Sequence, residues 1–199
     1  TTLTTTELSF QDSITALNEQ NELFYSSRKA YNDGLELFND QNFQQAIVNF
    51  TNAIVIDSTF SKAYFYRAQC HENSNNNLAL LDYQMVFTLD STNLTPLYGV
   101  AKIQSISDVN EAINTYNFII SLSNQQSRAH YEIGVLCYIQ KDIQGAIISF
   151  TNSITIRKDA RTFNDRASCY RLLDNNELAI KDYITAIALD SDLAFIYNN

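Results

Sequence analysis

AIVNFTNAIVIDS, residues 46–58, is a phrase that the chain writes five times. It returns as ALLDYQMVFTLDS (79–91), AINTYNFIISLSN (112–124), AIISFTNSITIRK (146–158) and AIKDYITAIALDS (179–191). The leading alanines Ala46, Ala79, Ala112, Ala146 and Ala179 stand 33, 33, 34 and 33 residues apart. A ring follows each alanine by four residues: Phe50, Tyr83, Tyr116, Phe150 and Tyr183. A period this regular marks an array of supersecondary units, none of which buries its apolar face alone.

Each phrase reads as a helix. Ala46, Ile47, Phe50, Ala53 and Ile54 recur at spacings of three and four, which puts them on one face. A second helix precedes each phrase. Its fixed point is a small residue 11 or 12 positions before the alanine: Gly34, Ala68, Ala101, Gly134 and Ala167. Small residues let two backbones approach, so these are the expected crossing points of each pair. The second and third units have a connection one residue shorter than the others.

Period and small–aromatic–small slots together resemble the tetratricopeptide repeat. The fourth unit carries the resemblance best, in Tyr131, Gly134, Tyr138, Ala146, Phe150 and Ser153. The family's closing proline is replaced by Ser58, Ser91, Asn124 and Ser191. The resemblance implies an all-α fold, a right-handed superhelical solenoid of antiparallel helix pairs. Pairs are expected over about 27–59, 60–92, 93–125, 126–159 and 160–192. Residues 1–26 form an extension, in which Leu8, Phe10, Ile14, Leu17, Leu23 and Phe24 suggest a helix over 8–24 that caps the first pair. Residues 193–199, LAFIYNN, read as the start of a sixth pair, cut short.

Composition restricts the function. The formal charge is −9, with 13 Lys and Arg against 22 Asp and Glu. That balance argues against nucleic acid or an anionic membrane as a general partner. No apolar run approaches the roughly 18 residues of a membrane span, and TTLTTTELSF is no signal peptide. The three cysteines, Cys70, Cys137 and Cys169, each fall near a helix crossing and are expected as buried free thiols. Neighbouring first helices lie about 8–10 Å apart, too far for a bridge between Cα atoms needing about 4.4–6.8 Å. Free thiols favour a reducing, cytoplasmic setting.

No catalytic constellation emerges. His71 and His130 have no partner at metal-ligand spacing, and Cys70 and His71 point about 100° apart on a helix. There is no glycine-rich phosphate loop and no nucleophile elbow. No cofactor or metal is expected.

What remains is a surface. In a tetratricopeptide array the first helices line the concave side. Three residues before each crossing residue stand Tyr31, Phe65, Tyr98, Tyr131 and Asn164. Six before stand Arg28, Lys62, Thr95, Arg128 and Arg161, and one after stands Lys102 in the third unit. Rings and cations are thus expected as two parallel stripes in the groove, a local basic patch on an acidic chain. The basic row also sits in the first turn of each helix, where the macrodipole disfavours cations, so packing alone gives no reason for it. The expected partner is a protein or peptide segment carrying acidic beside apolar residues. The family's two-carboxylate clamp for chaperone C-termini resembles Lys, Asn, Asn, Lys and Arg at fixed slots. The first three repeats hold Tyr31, Leu35, Tyr66, Thr95 and Gly99 there, with no match, so a chaperone tail does not fit. Two other roles stay open: a structural subunit that uses edges and ends of the solenoid, or a regulatory module of a larger protein.

Overall fold

The computed structural model describes residues 5–72 and 74–190. All ten elements among them are α-helices. The chain divides into two compact units, residues 1–99 and 100–199. The first holds α1 (Thr5–Asn39), α2 (Phe43–Ile56), α3 (Ser61–His71), α4 (Asn76–Leu89) and the start of α5 (Thr95–Ser107). The second holds the rest of α5, α6 (Val109–Leu122), α7 (Ser127–Ile139), α8 (Ile143–Ile156), α9 (Ala160–Leu172) and α10 (Asn176–Leu189). The expected sixth pair, 193–199, lies outside the described residues.

The repeated phrase becomes α2, α4, α6, α8 and α10, and its alanine and ring are the core. Ala46, Phe50, Ala112, Ala146 and Phe150 are buried almost completely. Each of the two phenylalanines contributes about 1.5–3 kcal/mol on leaving water. In the first unit Phe50, Ala46 and Cys70 form one cluster, with Tyr31, Leu35, Phe38 and Tyr66 against it. Ala53, Ile54, Phe60 and Ala63 form the next. At the crossing glycines the ring of the second helix occupies the space that a side chain would need. A Cβ on Gly34 would stand 2.7 Å from Phe50 Cε1, and one on Gly134 would stand 2.5 Å from Phe150 Cε1.

Two connections of the first unit explain how a helix stops without proline. The Asp57 carboxylate accepts from the Thr59 N–H (3.0 Å) and hydroxyl (2.7 Å). Asp90 repeats this with Thr92 at 3.0 and 2.6 Å. These are Asx turns, in which a side chain stands in for the next backbone acceptor. The Thr92 hydroxyl also holds the Asp90 carboxyl below its usual pKa.

The longer connections share another device. Gln41, Lys141 and Asp174 take positive φ, at 59°, 65° and 56°. At each, the next N–H reaches back to the helix: Asn42 to Leu37 O (2.8 Å), Asp142 to Cys137 O (2.9 Å) and Asn175 to Tyr170 O (2.9 Å). That pattern is a Schellman cap, whose left-handed position suits glycine. The extra residue of the first, fourth and fifth units is this left-handed one. A prediction follows from its cost, about 1–2 kcal/mol for an L-residue. Lys141→Gly should raise stability by roughly 1 kcal/mol, less the entropy that glycine adds to the unfolded chain. A urea midpoint that falls instead would count against the strain.

A buried fork joins three helices, once in each unit. Arg67 of α3 donates from Nε to Asp82 Oδ2 (2.8 Å), from Nη2 to Oδ1 (2.7 Å) and from Nη1 to Thr51 Oγ1 (3.0 Å). Arg166 of α9 makes the same three bonds to Asp182 (2.7 and 2.9 Å) and Thr151 (2.9 Å). The fork ties the second helix of one pair to both helices of the next.

The segment 8–24, where a capping helix is expected, is part of α1. It is the front half of α1, and residues 10–26 are exposed throughout. No glycine or proline stands between Thr5 and Asp33, so the helix runs unbroken through this segment and nothing folds it back onto the first pair.

Candidate functional site

Six of the expected rings and cations line two clefts, one in each unit: Tyr31, Lys62 and Phe65 in the first, Arg128, Tyr131 and Arg161 in the second. In the first unit a cleft of about 280 Å³ is lined by Tyr31, Ser61, Lys62, Phe65, Tyr66, Val86, Asn93 and Thr95. Lys62 is exposed at its mouth. Tyr31 is wedged between Phe60, at 4.8 Å between ring centres, and Phe50, at 5.9 Å. Burial pushes its hydroxyl up to about 12. Phe65 rests edge-on against Tyr66 and Tyr83.

In the second unit a larger cleft, about 500 Å³, opens between the starts of α7 and α9. Arg128 and Tyr131 come from α7, Arg157 from the end of α8, and Arg161 from the first turn of α9. Three carboxylates share the wall: Glu132, Asp159 and Asp190. Glu132 stands 3.7 Å from Arg128, and Asp159 caps α9 by accepting from the Thr162 N–H at 3.2 Å. Arg157 and Arg161 make no ion pair among the described residues. Tyr131 is shared with an adjoining cleft of about 260 Å³, lined also by Val135, Tyr138, Phe150, Asp165 and Ser168.

Tyr131 is held from both ends. Its ring packs on Phe150 at 5.7 Å, and its hydroxyl donates to Asp165 Oδ2 at 2.9 Å. Asn164 Nδ2 donates to the other Asp165 oxygen at 3.0 Å, while Asn164 Oδ1 is buried without a partner. Burial raises the Asp165 pKa above the usual carboxylate value. Burial, then the neighbouring Asp165, raises that of Tyr131. The ring is therefore a fixed, neutral surface with arginines beside it.

The basic stripe is not uniform. Arg28 is turned inward, its guanidinium 3.8 Å over the Phe60 ring and 4.8 Å over Phe24, as a cation–π contact. Tyr98 is buried, and Lys102, although exposed, lines neither cleft. Sequence reasoning missed Arg157 and Asp165. A signal for Arg157 was present: the fourth phrase ends Arg-Lys where the first, second and fifth end Asp-Ser. Asp165 had none, since its role depends on the approach of Tyr131 from 34 residues away.

The three thiols sit beneath these surfaces, buried and free. Burial pushes Cys70 and Cys169 up to about 11 and raises Cys137 as well. Burial also lowers the pKa of His71 and His130, which favours neutral rings. No described helix is long and apolar enough to cross a membrane.

Paired antiparallel helices of one period, with small residues at each crossing, define a helical-repeat protein. Residues 160–193 match the family model described as tetratricopeptide repeat, and the described helices have the tetratricopeptide fold. The structure of MamA resembles this chain at a TM-score of 0.68 and 18% identity, covering 81% of this chain and 96% of that one. YrrB, described as a TPR protein with an unusual peptide-binding site, gives 0.61 and 16%, covering 89% and 92%. The APC/C hetero-tetramer Cut9–Hcn1 gives 0.62 and 18%, covering 87% of this chain and 37% of that one. A search of curated proteins finds no match.

Proposed function

We propose that this chain is a non-catalytic interaction scaffold that binds an extended or helical segment of another protein along its first helices. The observation that carries the reading is the cleft of the second unit, where Tyr131 is locked in place and the exposed Arg157 and Arg161 line the same wall. A preorganised ring beside unpaired guanidinium groups suits a segment with acidic residues next to apolar ones. Each arginine would make charge-assisted bonds worth roughly 1.5–3 kcal/mol before desolvation losses. Tyr131 and, in the first unit, Phe65 would supply apolar area. Carboxylates elsewhere on a chain of net charge −9 would repel the same ligand and confine it to the clefts. The peptide-binding site named for YrrB and the hetero-tetramer named for Cut9–Hcn1 are in keeping with such a role. A cytoplasmic setting accords with three free thiols.

Random peptides selected on the immobilised chain test this reading. Winning sequences should combine Asp or Glu with apolar residues, and their binding should weaken as salt rises. Lys62→Glu, Arg128→Glu and Arg161→Glu, introduced together, should weaken binding at least tenfold while the helical signal is kept. Unchanged affinity in that variant would move the contact away from these clefts. A structural subunit that uses its edges would then be the better description.

A further inference from the structure

We infer that the front half of α1 is a self-association seam that pairs, antiparallel, with the same segment of a second copy of this chain. Phe10, Ile14, Leu17, Asn21 and Phe24 follow one another at spacings of four, three, four and three. That alternation is the seam of a left-handed coiled coil. The four apolar members are 68%, 37%, 57% and 49% exposed, and Tyr25 beside them is 70% exposed. Apart from the Arg28 guanidinium over Phe24 and the edge of Tyr25 against the same ring, they stand open to solvent. A contiguous apolar stripe of this kind marks a contact surface, although Leu23, 55% exposed, lies off it.

Charge says what the occupant is. Asp12, Glu19 and Glu22 lie on the opposite side of the helix, and the first basic residue of the chain is Arg28. The positions flanking the seam are Gln11, Ser13, Asn18 and Gln20, all uncharged. Flanking charges select foreign coiled-coil partners and reject identical ones. Here they do neither, so a second copy fits without conflict. The acidic outer face, without lysine or arginine, is the wrong polarity for an anionic lipid surface.

Packing sets the direction. Phe24 shares the Arg28 guanidinium with Phe60, and seven residues on, Tyr31 packs against Phe60 and Phe50. The stripe thus runs onto the face that α1 turns to its own pair and to α3. A parallel partner would carry its helix pairs into that occupied space. An antiparallel partner brings the front of its own α1 there and points its helix pairs away. Two such stripes together bury on the order of 1,000 Å², the lower limit for a specific pair, and Asn21 places an amide in the seam. Association should therefore be reversible and concentration-dependent. It should tighten with salt, because each copy carries a formal −9 that salt screens.

Sedimentation of the full chain between about 1 and 100 µM tests the proposal. The mass should move from 22.7 kDa towards twice that value. Phe10→Glu with Leu17→Glu should weaken pairing at least tenfold and keep its helical signal, since glutamate is a good helix former. Thr15→Glu, on the acidic side, should pair like the parent chain. Spin labels at Ser26→Cys, with Cys70, Cys137 and Cys169 buried, read the orientation. Antiparallel pairing places the two labels roughly 25 Å or more apart, and parallel pairing about 10 Å. Three results would overturn the proposal: one-copy mass throughout, equal association by the double variant, or the short label distance. So would binding of the unassociated chain to neutral phosphatidylcholine vesicles through the same residues, which would give the stripe to a membrane.

Discussion

Asp182→Ala should lower stability by about 3–5 kcal/mol, because it leaves the Arg166 guanidinium buried without its counter-charge. The side chains of Arg166 and Asp182 are only 14% and 7% accessible, and their bidentate contact runs at 2.7 and 2.9 Å. Solvent cannot reach in to compensate for the lost carboxylate. The remaining bond from Nη1 to Thr151 satisfies one donor and no charge. Removing both charges is a different experiment. Arg166→Met with Asp182→Leu keeps most of the volume and deletes the desolvation cost of both ions, so it should cost far less than Asp182→Ala. Equilibrium urea unfolding of the three chains measures the contrast. A double variant as unstable as Asp182→Ala would mean that the unpaired guanidinium is not the source of the loss. The same pattern is expected for Arg67 and Asp82, whose side chains are 19% and 7% accessible.

Gly134→Leu should be nearly as damaging, for a steric reason. The site already has no room for a single methyl: a Cβ there would stand 2.5, 2.6 and 3.1 Å from three atoms of the Phe150 ring. Phe150 is 1% exposed and has nowhere to retreat. Overpacking of a filled core costs about 1–3 kcal/mol, and leucine adds three carbons beyond the one that already collides. The cost should stay local at first, since each repeat leans only on its neighbours. Hydrogen exchange should lose protection in α7 and α8 before the helices of the first unit. Uniform loss over all helices would contradict the nearest-neighbour picture. Replacing Gly134 with alanine should give a smaller loss of the same sign.

How much of this was legible beforehand depended on the range of the interaction. Ala46, Phe50 and their copies could be read because helical spacing is local and the phrase repeats five times. The crossing points could be read because only small residues fit them. The groove residues were placed by period alone, and period cannot tell a side chain that faces a cleft from one that turns away. Arg28 shows the difference. In register it matches Arg128 and Arg161, yet Phe24 and Phe60 offer it two aromatic faces, and it folds onto them. Arg128 and Arg161, in the second unit, line a cleft. The forks were present in the sequence as an arginine just before Ala68 and Ala167 with an aspartate three after Ala79 and Ala179. Two occurrences in five units were too few to be seen as a pattern.

The sequence by itself determined the class of fold, the length of the unit and the small–aromatic core, because each follows from a periodicity of 3.6 residues nested in one of about 33–34. Tertiary structure alone decided which polar groups are consumed internally and which remain for a partner. Asp165 is held by Tyr131 across 34 residues, and Asp182 by Arg166 across 16. The front of α1 keeps its apolar stripe in water because the helix never turns back. Each of these outcomes is fixed by distances between side chains on different helices, and those distances exist only once the helices have packed.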